Sequence, residues 1–595
     1  MELGGEILIN QALEVFKKEY EKKGEKLILD SYIPADGTYI IVKPVEDNFK
    51  IDAIINIKQD KVTRSIDRTK PYMNFICEAD YNSKINDMNK AILPSGGKVI
   101  QGNNYLSFII KKESLTNGKL TDEIIDDYYR VLEDPLSKYK KPNARELYKS
   151  IEKEIGEVDR NRLEKIKRWI KENLFQILED NSGKDYFKIF FYYPEDFEKE
   201  GKRYFIPNIY NNNDFNQVIN KEIYGLSNDN MGLNAKKPYL ENKTRKAKVP
   251  YLVSQNEIML QKKFFDYLMN QAILGLTNIY IDDKIMALKS IDTPKEDFSG
   301  IYFRIKKGKE VEILDFDIIP CYKANLIRSF RYRNVLEGDN ELLKQSFNEI
   351  GTLEKLHKLI NEVLFSKFLM GNYFTEAKDM EINDEALKNS ILMSRNALFN
   401  WFYKGNDKNI WGILDKVTLM LVKGSITKGY RIPAINKFNL RVSLKDYFQM
   451  GGESMADKII ELKDDLRNKI SRKDTDSIKG DLEYCFAVGQ LVAFLLSKSR
   501  GKKIPLSLAN SFINAKSDRI IKEKLRALYN KYNYDIYNYG FKFRNLYAMV
   551  ASYEIEGKID EDMIIAGYLH SNLIYEKSNE DINDLSDDEE VKNNA

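Results

Sequence analysis

The chain has 595 residues, 43% of them hydrophobic and 12% aromatic, enough for more than one core, and its 94 basic and 91 acidic side chains leave a formal net charge of only +3. A surface for nucleic acid must therefore come from local segregation of charge rather than from the total. Cys77, Cys321 and Cys485 lie far apart and form no CxxC pair, which fits a reducing compartment, and with His357 and His570 as the only histidines, His-based metal sites and Ser-His-Asp or Cys-His catalysis lack parts.

The opening MELGGEILINQALEVFKKEYEKK alternates acids and lysines through an amphipathic helix, without the basic start and unbroken apolar run of a signal peptide. Alternating strands TYIIVKPV and FKIDAIINI follow, joined through Glu46-Asp47-Asn48, and NYLSFIIKK reads as a further strand after the loop LPSGGKVIQGN. From about 121 to 180 the pattern turns helical in EIIDDYYRVL, ARELYKSIEKEI and RLEKIKRWIKENLFQIL, and strand returns with DYFKIFFYY. A polar stretch over roughly 194–250 reads as linker or binding loop before the helix NEIMLQKKFFDYLMNQAIL. Two hairpin-like units come next, the clearer being IYFRI and VEILDFDII around Lys306-Lys307-Gly308-Lys309, and beyond about 340 the pattern is almost wholly helical.

The last module starts near Met455. There MADKIIELKDDLRNKI sets Met455, Ile459, Leu462, Leu466 and Ile470 on one stripe, while EYCFAVGQLVAFLL is apolar all round and predicts a central buried helix. The run from Tyr484 to Leu496 is shorter than the roughly 20 residues a spanning helix needs, so a soluble, cytoplasmic protein without membrane contact is expected. Three amphipathic segments follow: DRIIKEKLRALYNKY after Ser517 as cap, FKFRNLYAMVASYEI, and DMIIAGYLHSNLIYE after the cap Asp560. The expected fold class is α+β: a mixed α/β N-terminal region with antiparallel hairpins, and a mostly helical second half ending in a four- or five-helix bundle. The expected domains are 1–250, 251–450 and 455–580, with a disordered acidic tail over 581–595.

The sharpest local charge is KKPYLENKTRKAK, where Lys236, Lys237, Lys243, Arg245, Lys246 and Lys248 face Glu241 alone; such a run neutralises phosphates, and Tyr239 and Tyr251 can stack on bases or pack beneath the loop. A solvated loop is the alternative. In LPSGGKVIQGNNYLSF, Gly96, Gly97 and Gly102 let backbone approach a ligand, Lys98 adds charge, and Asn103 and Asn104 carry the carboxamides that read base edges, or else form an Asn-rich turn entering the strand. Lys423, Lys428, Arg431, Lys437 and Arg441 fall in a stretch without an acid, and so do Lys498, Arg500, Lys502 and Lys503, the latter at one end of the terminal bundle. Together these segments predict an extended electrostatic track. The one enzyme-like feature is Asp315 and Asp317, which share a strand face and can coordinate magnesium or simply face solvent. No GxxxxGK[ST] occurs, and neither a catalytic residue, a metal site nor a cofactor is expected.

Several strings carry a likeness as well. QGNNYLSFIIKKESL, KKPYLENKTRKAKVPYLVS, EYCFAVGQLVAFLLSKSR, LANSFINAKSDRIIKEKLRALYNKYNYDI and GKIDEDMIIAGYLHSNLIYEK resemble the large subunit of the type I-B CRISPR surveillance complex, Cascade, across most of the chain and most strongly after about 480. The resemblance implies a non-catalytic, antiviral-defence subunit beside the one that caps the crRNA 5′ handle. It would recognise PAM duplex DNA, help open the target, guide the displaced strand and offer a docking surface to the helicase-nuclease. Implied partners are crRNA, double-stranded target DNA and its displaced strand, the backbone, handle-capping and small subunits, and the helicase-nuclease; guide pairing reads the target, as in other RNA-guided effectors. Lys98, Asn103 and Asn104 match the family's Asn-Asn-Tyr string and are PAM-side candidates by that likeness. Some related large subunits carry a cysteine cluster thought to bind zinc; the scattered cysteines here depart from it.

Before Met455 the chain reads QMGGESMADK, and Gly-Gly-Glu can be encoded by a strong ribosome-binding sequence at a workable distance from the Met455 codon. This predicts an internal start yielding a separate helical small subunit, as the resemblance also implies; a glycine pair serving as an interhelical turn is the alternative. Rivals from other classes are a protein scaffold without nucleic-acid contact, and a magnesium-dependent nuclease dependent on Asp315.

Overall fold

The computed structural model describes residues 2–85, 90–93, 98–178, 183–226, 252–337, 348–449, 453–472, 476–499, 506–533, 536 and 540–576. Two compact units emerge, one of residues 1–292 with 299–318, the other of residues 293–298 with 319–595.

The first unit opens with helix α1 (Glu2–Lys23) and then a tight hairpin of β1 (Gly37–Val45) and β2 (Asn48–Ile57), turned through Glu46 at φ +52°. After α2 (Met73–Tyr81) come β3 (Ser107–Lys111), the helices α3 (Asp122–Glu133), α4 (Pro142–Ile155) and α5 (Arg160–Leu178), and β4 (Tyr186–Phe191). The sheet order is β2-β1-β4-β3, with β1 antiparallel to β2 but parallel to β4, and β3 antiparallel to β4. Residues 37–42 of β1 are all buried, which is why TYIIV is a continuous apolar run rather than an alternating one. Its core is shared with Ile76 of α2, Tyr128, Tyr129 and Leu132 of α3, and Ile166, Ile170 and Leu174 of α5. Gly37 is required where β1 starts, because a Cβ there would run into the backbone carbonyl of Tyr186 at the start of β4.

Within its described residues, 194–226, the polar stretch expected to be linker or loop contains α6 (Phe197–Phe205) and the strands β5 (Gln217–Ile219) and β6 (Glu222–Gly225), which form a small sheet with β7 (Val253–Ser254). Composition concealed α6 because its buried face includes Glu200 and Arg203, which form a buried ion pair at 2.7 Å, while Arg203 also donates to the carbonyl of Gly156. Next, α7 (Gln255–Ile273) starts on a capping box of Ser254 and Glu257 and packs Phe264 and Leu268 with Phe16 of α1. The same core takes in Ile279 of β8 (Leu276–Ile281) and Phe303 of β10 (Phe298–Lys307); with β9 (Ile285–Lys289) and β11 (Val311–Tyr322) these form a second sheet, ordered β11-β10-β8-β9.

In the second unit a two-stranded sheet, β12 (Asn325–Arg331) and β13 (Glu349–Thr352), is followed by helices throughout: α8 (Leu353–Val363), α9 (Glu385–Lys404), α10 (Ile410–Thr427), α11 (Arg431–Phe448), α12 (Met455–Ile470), α13 (Asp481–Ser497), α14 (Asp518–Tyr532), α15 (Gly540–Ser552) and α16 (Glu561–Leu569). Antiparallel hairpins in the N-terminal half and helices in the C-terminal half give the α+β class read from the sequence. Nearly every residue of α13 is buried, as its all-round apolarity predicts, and no described helix is long and apolar enough to cross a membrane. Ile459, Leu466 and Ile470 of α12 are buried in the same core, with Met455 and Leu462 half-buried against it.

Two glycines set the central helix crossing. A Cβ on Gly489 of α13 would strike the backbone of Ile564, and one on Gly567 of α16 would strike the backbone of Phe486, so each helix has removed its side chain where the other's backbone passes. Asp560 caps α16 by accepting from the amide of Met563, but Ser517 stands at the start of α14 without a side-chain cap bond. The core of α12–α16 continues without a break into Val422 and Ile426 of α10 and Phe438 and Val442 of α11.

Candidate nucleic-acid interface

Tertiary pairing removes most of the predicted electrostatic track in the second unit. Lys423 donates to Glu561 at 2.5 Å and to Asn514, Lys428 pairs with Asp384 at 2.5 Å, and Lys437 donates to the hydroxyl of Ser425. Arg431 donates to the carbonyls of Leu569 and His570 at the end of α16, where a cation meets the negative pole of the helix. Arg441 is buried and holds Asp562 through two nitrogens, at 2.7 and 3.0 Å, while also reaching Asp415 at 2.8 Å. Burial would raise the Asp562 carboxyl, but Arg441 and Lys445 hold it below the usual carboxylate range. An acid-free stretch of sequence is thus met by acids from other helices.

Lys498 is also buried, its ammonium lying 4.6 Å from the ring centroid of Phe494 and 4.9 Å from that of Tyr575, so it does not project from the end of the bundle. Arg500, Lys502 and Lys503 lie outside the described residues, as do Gly96, Gly97, the whole basic run with Lys236, Lys237, Tyr239, Lys243, Arg245, Lys246 and Lys248, and the acidic tail.

Of the PAM-side candidates, Lys98 is half-buried. Asn104 is fully buried, its Nδ2 donating to the carbonyl of Phe197 at 3.0 Å and its Oδ1 accepting from the amide of Leu106 at 3.0 Å. Its carboxamide fixes the entry to β3 and presents no edge to a base, as the Asn-rich-turn alternative has it. Asn103 is 3% exposed and its amide donates to Ser83, but its Oδ1 has no hydrogen-bond partner and the residue lines a cavity.

That cavity, of about 260 Å³, lies in the first unit between α2, α6 and α7 and is lined by Lys202, Lys262 and Lys263 among others. These three are paired: Lys202 with Glu198 at 2.8 Å, Lys263 with Glu25 at 2.5 Å, and Lys262 with Asp266. A second cavity, of about 600 Å³, shares Lys84 and Ile85 with the first and opens where several strand ends of the first unit converge. Asp36 comes from just before β1, Gln59 from just after β2, Gln101 from just before β3, Lys111 from the end of β3, Lys184, Asp185, Tyr186 and Lys188 from the start of β4, and Lys307 from the end of β10.

The deepest part of its lining is neutralised. Asp80, 1% exposed, accepts from Lys188 at 2.5 Å and from the hydroxyl of Tyr32 at 2.8 Å. Burial, then the charge of Asp80, pushes the Tyr32 phenol well above its usual range. Asp185 is paired from outside by Lys112 at 3.2 Å, and Asp36 accepts from the amide of Gln59 at 2.7 Å. By contrast Lys84, Lys184 and Lys307 have no carboxylate within ion-pair distance among the described residues. The Lys84 side chain is exposed, its ammonium lying 4.2 Å from the Tyr32 ring centroid. Five lysines against three aspartates make this lining cationic, and the cations left over are the ones nearest to meeting an anion.

Sequence reading missed this grouping because the three lie far apart in the chain, Lys84 after α2, Lys184 before β4 and Lys307 in the turn Lys306-Lys307-Gly308-Lys309, and only the fold gathers them. Among the described residues no group of three His, Cys, Asp or Glu side chains is placed to hold a metal ion. Asp315 and Asp317 lie on β11, the carboxylate of Asp317 accepting from the amide of Ile318. His357 is a core residue, stacked 4.2 Å from Phe402 and hydrogen-bonded to the Tyr373 hydroxyl at 2.7 Å, and His570 is buried as well. Compared with known proteins, the chain matches no family model, no curated protein and no solved structure.

Proposed function

We propose that this chain is the non-catalytic large subunit of a crRNA-guided type I-B Cascade, acting in antiviral defence. In this reading it recognises PAM duplex DNA, contacts the crRNA 5′ end and the displaced strand, and helps to recruit the helicase-nuclease. The family-like strings from residue 101 to residue 577 motivate the assignment. The structural observation that supports nucleic-acid contact is the cavity in the first unit, whose Lys84, Lys184 and Lys307 carry charge that no described carboxylate neutralises.

The test is binding of a PAM-bearing duplex by the chain assembled with crRNA and its partner subunits, over a range of salt concentrations. Affinity should fall steeply with salt, and charge reversal at Lys243, Arg245 and Lys246 should weaken it. Salt-insensitive assembly with protein partners alone would point instead to a scaffold, and magnesium-dependent cleavage abolished by Asp315→Asn would point to a nuclease.

The same reading includes internal initiation at Met455. Helix α12 begins at that residue, with the Ser454 hydroxyl accepting from the Asp457 amide and Asp446 accepting from the Met455 amide. Replacing the Met455 codon by one for alanine should abolish the short product; its persistence from an unchanged start would sink the idea. Because the bundle core runs back into α10 and α11, a product from Met455 onward must cover the faces of α12 and α16 that pack on α11 in another way.

A further inference from the structure

The larger cavity of the first unit has a chemistry that selects its occupant. At about 600 Å³ it has the size of a site for one drug-sized ligand, and its deepest charges are already satisfied by the Lys188–Asp80–Tyr32 contacts. Three lysines without carboxylate partners remain for an anion. Two carboxamides remain half-used. Gln101 accepts from the Tyr186 hydroxyl at 3.3 Å, which leaves its amide hydrogens to donate, whereas Gln59 donates to the carbonyl of Arg64 at 2.7 Å, which leaves its oxygen to accept. One donor and one acceptor beside a tyrosine ring match the edge and face of a nucleobase.

We propose that this cavity holds a single unstacked nucleotide of a single strand, with its phosphate among Lys84, Lys184 and Lys307 and its base against Tyr186, Gln101 and Gln59. A duplex keeps its bases in the stack and offers only its backbone, so a nucleotide enters such a cavity only after leaving the helix or at a strand end. An extended acidic peptide would use the lysines and meet the carboxamides through its backbone, but its main chain brings no flat ring to lie against Tyr186. The proposal rests on the reading of the chain as a nucleic-acid-binding subunit and adds to it a ligand-sized site that selects a nucleotide.

The test is calorimetric titration of the full chain with AMP, dAMP and inorganic phosphate, in wild type, in the Lys84→Ser/Lys307→Ser variant and in Gln101→Ala. AMP or dAMP should bind more tightly than phosphate, and the double lysine variant should lose at least tenfold in nucleotide affinity with an unchanged melting temperature. Gln101→Ala should weaken nucleotide but not phosphate. A preference for AMP over dAMP assigns the site to an RNA strand, and the reverse to a DNA strand. Phosphate binding as tight as AMP, no nucleotide binding, or no effect of the lysine variant overturns the proposal. Loss of this site alone leaves salt-dependent duplex binding intact, whereas failure of the Cascade reading leaves nucleotide binding intact without assembly on crRNA.

Discussion

The two units handle basic side chains in opposite ways. In the helical unit, the stretch from Lys423 to Arg441 contains no acid in sequence, yet Glu561, Asp384, Asp562 and Asp415 reach it from other helices. In the first unit Lys84, Lys184 and Lys307 are scattered along the chain and end on one cavity without a carboxylate partner. Charge segregation along a chain is therefore a poor guide to charge at a surface when helices bring distant acids into register, and strand ends can gather a field that no local window contains.

The comparison breaks most visibly at Asp562. Asp562→Ala leaves the buried Arg441 with only the half-exposed Asp415, and should cost about 3–5 kcal/mol in urea denaturation of the helical unit. Arg441→Met combined with Asp562→Leu should recover most of that loss. The folded carboxyl is depressed, so its contribution is complete above the unfolded value near 4 and disappears as pH falls through the folded pKa. A loss below about 1 kcal/mol would show that pairing is not what holds these cations inside.

Next in size is Gly567→Ala, where a methyl meets the Phe486 backbone; a loss of about 1–3 kcal/mol or more is expected in the same assay. His357 gives a pH signature. Burial first, and Lys358 second, push its imidazole down to about 3, so it is neutral in both states above the unfolded value of about 6.5, and stability is lost as pH falls below that. Between pH 6.5 and 5 the loss should be about 2 kcal/mol, and His357→Phe should flatten it, as read from unfolding midpoints at the two pH values. The smallest effects sharpen the comparison. Lys307→Ser should leave stability within about 0.5 kcal/mol but reduce the salt slope of single-strand binding by about 1, whereas Lys423→Ser should cost about 1 kcal/mol and leave that slope unchanged.

Much of the fold was legible because apolar periodicity is local. The α13 segment, the α12 stripe and the hairpin through Glu46 all follow from neighbouring residues. Helix α6 was not legible, since Glu200 and Arg203 read as solvated charge until the fold buries them against each other. The candidate site was less legible still. Asn104 carries the right chemistry for base reading but lies under β3, and the unpaired cavity lysines come from the segment after α2, the start of β4 and the end of β10, which lie in two different sheets, so their convergence is a property of the tertiary fold.

The reciprocal glycines at the centre of the bundle carry a consequence for how the sequence can drift. At Gly489 and at Gly567 the obstacle to a side chain is the partner's main chain, which no second substitution can trim. A loss at either position has no local suppressor. Rescue would have to move a whole helix, and α16 also bears Glu561 and Asp562, which tie it to Lys423 and Arg441, so such a shift would give up ion pairs along with packing. The two positions are thus expected to tolerate no residue larger than glycine.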